Sequence, residues 1–298
     1  MVAQSTLTNW LHLIALGVIW GATFMVISIA LQGYGPITVA CARTTLGALT
    51  LLAVMRLLRT PWPARQTWRY VILGGLFSTA FPFMLLSWGL QYIPSAFAGI
   101  AMTFVPLFVL PMAHLFTDEK LTPRRTVGVV IGFVGALVLI GPEALSVGGG
   151  ITLLAQLSCL GAAMCYGISA VQTRNCPPID PLAMAAFTLV VGAVALIPIM
   201  LMVEGVPSWH GPAPSIAIIV LGVLPTALAA ALRVMIVRSA GSVFMTLVNY
   251  QVPLWSVFFG AVILSEPLPG SLFIAMALIF AGLFTSQAGA LRRQFISR

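Results

Sequence analysis

The chain has 298 residues, of which 60% are hydrophobic and only 7% are Asp, Glu, Lys or Arg, with a formal net charge of +8. An ordinary soluble domain carries roughly 25% charged residues, so this composition cannot cover a water-facing surface. It excludes a soluble enzyme, a disordered chain, a secreted disulfide scaffold and a nucleic-acid binder, whose basic residues would form a dense patch.

A bilayer core about 30 Å thick needs roughly 20 apolar residues per helix. In chain order the apolar runs predict ten helices, near 10–31, 37–58, 69–90, 95–116, 126–141, 151–172, 182–203, 214–235, 242–264 and 270–289. Gly and Pro punctuate them, at Gly33–Pro36, Thr60–Pro63, Ile93–Pro94, Thr122–Pro123, Gly148–Gly150, Pro177–Pro178, Gly211–Pro212, Ala240–Gly241 and Pro267–Gly270. The fold class expected is all-α and membrane-integral.

Of the 14 Lys and Arg, all but Arg43 fall in connections on one side of a ten-span chain, while the opposite connections hold only Glu143, Glu204, Glu266 and His210. The positive-inside rule then places both termini in the cytoplasm of a multi-pass protein. The first 42 residues hold no charged side chain, so the basic start of a signal peptide is not expected. Cys41, Cys159, Cys165 and Cys176 form no CxxC pair; they read as small apolar residues, with no zinc site or disulfide.

The two halves resemble each other. Adding 147 carries Gly75 onto Gly222, Thr79 onto Thr226, Ser95 onto Ser242, Val105–Pro106–Leu107 onto Val252–Pro253–Leu254, and Glu119 onto Glu266. In the first spans the offset is 146 or 145, pairing Trp20–Gly21 with Tyr166–Gly167, Thr23 with Ser169, Pro36 with Pro181 and Gly47 with Gly192. Residues 1–147 and 148–298 are thus expected as two five-helix repeats. Five is odd, so the second enters the membrane inverted, an arrangement that recurs in transporters with substrate bound at the repeat interface.

Trp-Gly in span one, Arg43 in span two and the Pro–x12–Glu–x–Leu block ending spans four and nine resemble the drug/metabolite transporter superfamily. Its ten-helix EamA type is the nearest branch, and within it the chain is most similar to bacterial aromatic amino acid exporters of the YddG type. The sequence departs from its own repeat at Tyr166, where the first copy has Trp20. The resemblance implies that spans one, three, four, six, eight and nine surround a central cavity. It also implies a bacterial inner-membrane exporter.

The in-membrane polar and aromatic residues on those spans are the candidate substrate contacts: Trp20, Thr23, Thr79, Phe83, Thr103, Tyr166, Ser169, Thr226, Asn249 and Tyr250. Rings and hydroxyls suit an apolar or aromatic metabolite with a polar head; for each residue the competing reading is helix–helix packing. Trp88 and Tyr92 read as interfacial belt anchors. Arg43 is the only charge well inside a span, and its three readings are binding a substrate carboxylate, capping freed carbonyls, and snorkelling. Prolines inside helices free the carbonyl four residues earlier, so Pro82, Pro106, Pro225 and Pro253 are candidate hinges, with passive kinks as the alternative. Gly17-xxx-Gly21 and Gly128-xxx-Gly132 permit close helix contact, within the chain or in a span-five dimer.

The expected function is alternating-access export of small organic metabolites, aromatic amino acids foremost. The alternatives are a cationic drug, a nucleotide sugar or other amino acids. The expected partners are that solute and the lipid bilayer, with the protein a monomer or weak homodimer and no nucleic acid, cofactor or metal. No Asp or Glu lies deep in a span, which weakens proton antiport. A membrane-embedded enzyme would need a reactive set near an interface, and the best candidate is His114 with Asp118, four residues apart and followed by Glu119.

Overall fold

The structure, a computed structural model, describes residues 6–117, 121–141 and 150–296. Its main helices are α1 Leu7–Ala30, α2 Pro36–Leu58, α3 Arg65–Gly89, α4 Ser95–Phe116, α5 Pro123–Ile140, α6 Gly150–Arg174 and α7 Pro181–Val203. After them, α8 runs Pro212–Gly222, Val223–Leu228 and Ala229–Ala240, α9 runs Ser242–Met245 and then Val248–Ile263, and α10 is Gly270–Ile296. Among the described residues nine are long and apolar enough to cross a membrane, and Val248–Ile263 is a shorter apolar helix. All ten predicted spans are present. The protein is all-α and membrane-integral, and an even number of crossings puts α1's start and α10's end on one face, here the terminal face; the other is the far face.

Helix starts follow local chemistry. Pro36, Pro123, Pro181 and Pro212 open α2, α5, α7 and α8, where a missing N–H costs nothing. Thr6, Thr122 and Asp180 cap α1, α5 and α7 through side-chain oxygens. Starts move outward from the apolar runs by up to four residues, to Arg65 in α3 and Pro123 in α5; α10 continues to Ile296. Helices propagate through polar residues once nucleated, so apolar patterning under-reads them. The expected breaks at Gly148 and Gly149, and the acids Asp118, Glu119 and Glu143, lie outside the described residues.

The bundle is pseudo-symmetric. Helix α2 packs against α7, and α5 packs against α10. Small residues make these contacts: a Cβ on Gly128 would strike the Gly282 carbonyl, and one on Gly135 would strike Ile279. The Gly128-xxx-Gly132 spacing therefore serves packing within the chain, as does Gly17-xxx-Gly21, which faces Gln251 and Trp255. Three further contacts recur in both copies. Gly75 abuts Val191 and the Thr188 carbonyl, and Gly222 abuts Leu46 and the Arg43 carbonyl. Gly192 lies under Thr79, and Gly47 under Thr226. Gly21 faces Trp255, and Gly167 faces Phe108.

Backbone irregularities recur as well. A π-helical segment occupies Leu76–Ala80 in α3 and Val223–Leu228 in α8, the same place in each copy at an offset of 147. The prolines beside them do not match, since Pro82 falls on Ala229 and Pro225 on Ser78. In α4 a short 3-10 turn, Met102–Phe104, directly precedes Pro106. In α9 the break comes at Thr246–Leu247, earlier than Pro253, which sits inside a continuous helix. Proline position alone therefore does not locate the bends.

Candidate functional site

Helices α4 and α9 set the geometry between the repeats. Every residue of Ser95–Ala101, the far-face half of α4, is buried. This half packs on α1 and on Val248–Ile263 of α9, with Gly99 directly against Ser256. Towards the terminal face the two part company: Val105–Phe116 packs on α6 and α5, while Ser242–Met245 packs on α8 and α10. The far-face halves of α4 and α9 are thus packed together and their terminal-face halves diverge, while other contacts between the repeats, Trp10 with Phe244 and Tyr70 with Gln172, persist towards the terminal face.

Two carboxylates finish the far face. The residues capping the starts of α2 and α4 are Gly35 and Pro94, neither of which supplies a side-chain cap, so the first N–H groups of both helices need an outside acceptor. Glu204, just past α7, accepts from Ile37 N at 2.9 Å and Thr38 N at 2.8 Å. Glu266, between α9 and α10, accepts from Ser95 N at 2.7 Å and Ala96 N at 3.1 Å. A carboxylate on a helix N-terminus combines charged hydrogen bonds with the helix dipole. Glu266 was legible as a helix-end residue; its amide partners, and the whole role of Glu204, were not. The signal available was the missing cap at Gly35 and Pro94.

Most predicted hydroxyls are spent on backbone. Thr23 donates to Ile19 O at 3.0 Å, Thr103 to Ile100 O at 2.6 Å and Thr226 to Leu221 O at 2.8 Å. Thr79 donates to Gly75 O. The Leu221 carbonyl is the one Pro225 leaves free, so Thr226 satisfies it locally rather than presenting it to a pathway. Thr79 and Thr226 also fill the packing contacts against Gly192 and Gly47. Ser169 is buried on α6, and Asn249 is half-buried beside the α9 break. Tyr250 turns its ring towards Phe280 of α10, 5.8 Å between centroids, and its hydroxyl is buried without a partner. Trp20 donates from Nε1 to the Pro225 carbonyl at 3.4 Å. Trp88 and Tyr92 pair at 5.4 Å near the far-face end of α3.

Three predicted residues do come together, from α2, α3 and α6. Arg43 is 3% exposed. Its guanidinium lies over the Phe83 ring, 3.8 Å from the centroid, and within electrostatic reach of the half-buried Tyr166. Its Nε is buried with no hydrogen-bond partner. Of the three readings from sequence, snorkelling and carbonyl capping do not occur: the head is buried against a ring and bonds no carbonyl. A charged side chain mid-membrane costs about 3 kcal/mol on insertion scales. A desolvated cation over a ring returns about 2 kcal/mol, so the site retains an unmet demand for negative charge.

His114 accepts from Leu121 N at 3.4 Å through Nδ1, shaping the end of α4. Among the described residues no group of three His, Cys, Asp or Glu could hold a metal. Two cavities open at the faces: one of about 520 Å³ beside Arg65, Gln66, Arg69 and Pro177, and one of about 340 Å³ beside Tyr34, Thr38, Glu204 and His210.

Two opposed five-helix repeats, packed together where Ser95–Ala101 meets Val248–Ile263, are the build of a membrane transporter. The description "EamA-like transporter family" matches residues 9–141 and again 153–286. The chain belongs to the EamA-like transporter family. It is 25% identical over 288 residues, 95% of this chain and 98% of the relative, to the uncharacterized transporter YoaV of Bacillus subtilis. It is 25% identical over 215 residues, 71% of this chain and 70% of the relative, to a probable terminal-alkyne amino-acid exporter of Streptantibioticus cattleyicolor. A crystal structure at 23% identity shares the fold, with a TM-score of 0.66 over 97% of this chain and 99% of that one.

Proposed function

We propose that this transporter exports small organic metabolites, aromatic amino acids foremost, across the bacterial inner membrane by alternating access. Residues 1–147 and 148–298 act as its two units, the termini are cytoplasmic, and the protein works as a monomer or weak homodimer. The observation that carries the reading is the buried Arg43 guanidinium over the Phe83 ring, with Nε lacking a hydrogen-bond partner and Tyr166 within electrostatic reach: a cation among aromatic side chains suits a carboxylate on an aromatic body. Likeness to a relative described as a probable amino-acid exporter supports the same substrate class. Trp20, Asn249 and Tyr250 complete the contact set, with Thr23, Thr79, Thr103, Ser169 and Thr226 behind them. Pro82, Pro106, Pro225 and Pro253 act as hinges; the first three lie in or beside irregular segments, and α9 breaks about two turns before Pro253.

In this reading solute enters from the cytoplasm where α4 and α9 diverge, and parting of Ser95–Ala101 from α9 releases it. Proteoliposomes loaded with labelled tryptophan, phenylalanine or tyrosine test it. Gradient-driven movement of at least one is expected. Movement of a nucleotide sugar or a cationic drug, with none of the three, overturns the substrate class; chemical conversion without net transport overturns the transporter reading in favour of an enzyme.

A further inference from the structure

We propose that Arg43 is a carboxylate receptor, so that the transporter selects solutes bearing a carboxylate beside an apolar or aromatic body and rejects the corresponding amines. The inference rests on the transport reading above and narrows it.

The first support is depth without neutralisation. Arg43 lies seven residues into α2, about 10 Å along its axis at 1.5 Å per residue. Of the acidic residues, the three that the structure describes are all engaged elsewhere. Glu204 holds the start of α2, Glu266 holds the start of α4, and Asp180 caps α7. None reaches the guanidinium, whose Nε is buried with no hydrogen-bond partner. A structural arginine at such a depth is ordinarily paired with an acid or with carbonyls.

The second support comes from the repeat. At an offset of 145 the counterpart of Arg43 is Thr188, and at 147 that of Phe83 is Ala230. The surrounding frame is the same in both copies, since the Arg43 carbonyl meets Gly222 as the Thr188 carbonyl meets Gly75. Thr188 satisfies itself by donating to Ala185 O at 2.9 Å. Packing at this position is therefore met by a threonine, and neither the cation nor the ring over it is needed to build the fold.

The third is geometry. The guanidinium carbon lies over the Phe83 ring, 3.8 Å from its centroid, so the ring covers one side of the group and supplies no hydrogen-bond acceptor, and Nε has no partner. A guanidinium with unmet N–H donors matches a carboxylate with two parallel N–H···O bonds. Tyr166 of α6 lies within electrostatic reach of the same group. An amine placed there meets like charge.

The test uses the full-length protein, wild type and Arg43→Thr, chosen because threonine already occupies the equivalent place. Three probes share one ring: tryptophan, indole-3-propionate without the amine, and tryptamine without the carboxylate. In wild-type proteoliposomes the two carboxylates are expected to move at least tenfold faster than tryptamine, and in Arg43→Thr that ratio is expected to collapse towards one. The melting temperature of ligand-free protein in detergent is expected to stay level or rise in the variant, because an unpaired buried charge is gone. A drop of several degrees makes Arg43 structural and overturns the proposal. So does wild-type movement of tryptamine at the rate of tryptophan, or a variant that keeps the wild-type ratio. If no probe moves in wild type, the substrate reading fails by itself, and the melting comparison still decides the role of Arg43.

Discussion

The two repeats share a frame and differ in their chemistry. Glycine contacts recur in pairs, Gly75 with Gly222 and Gly192 with Gly47, and the π-helical segments of α3 and α8 fall at equivalent places. The polar content is unequal: the first copy has Arg43 over Phe83 where the second has Thr188 and Ala230. The bends in α4 and α9 differ as well. Close backbone approach is retained in both copies, while the buried cation over a ring occurs in the first copy alone at this position.

The most severe way to break this comparison is to build the cation into the second copy. Thr188→Arg is expected to destabilise the protein by about 3 kcal/mol, the scale of a mid-membrane arginine, read as a lower melting temperature in detergent. Restoring a ring with Ala230→Phe should recover part of that loss. A smaller effect sharpens the symmetry at α1 and α6. A Cβ on Gly21 would run into Trp255, whereas one on Gly167 would sit 3.2 Å from Phe108. Gly21→Ala is therefore expected to cost about 1–3 kcal/mol, in the range of overpacked sites, and Gly167→Ala clearly less; parallel thermal melts separate them. The smallest change concerns Tyr250, which replaces the Thr103 of the first copy. Its hydroxyl is buried without a partner, so Tyr250→Phe should be neutral or stabilising by less than about 1 kcal/mol. Loss of transport at unchanged stability would show instead that the hydroxyl meets the solute.

The ten spans were legible because a bilayer dictates their length and Pro or Gly marks their starts. The early break in α9 was not, since Thr246–Leu247 contains neither residue type. The paired π-helical segments were hidden because Pro82 and Pro225 are not equivalent, so aligning prolines pointed to α4 and α9 instead. Arg43 stood out as the lone deep charge. What its head touches depends on helix rotation, which composition does not specify. The same limit applies to the hydroxyls. Thr79 and Thr226 carry the polarity expected of a pathway, yet a threonine in a helix readily bonds a carbonyl a turn back, and here both also pack against a glycine. Tyr250 was legible as a membrane aromatic, but not its turn towards Phe280.

The widened turn at Leu76–Ala80 has a directional consequence for the remainder of α3. One residue corresponds to about 100° of azimuth in a regular helix, so an extra residue accommodated in one turn swings everything beyond it by that angle. Phe83 lies in the first turn after the segment, so that swing sets the direction from which it meets Arg43 of α2. Trimming a single position from Leu76–Ala80 would unwind the swing and aim the benzyl group elsewhere, leaving the guanidinium bare.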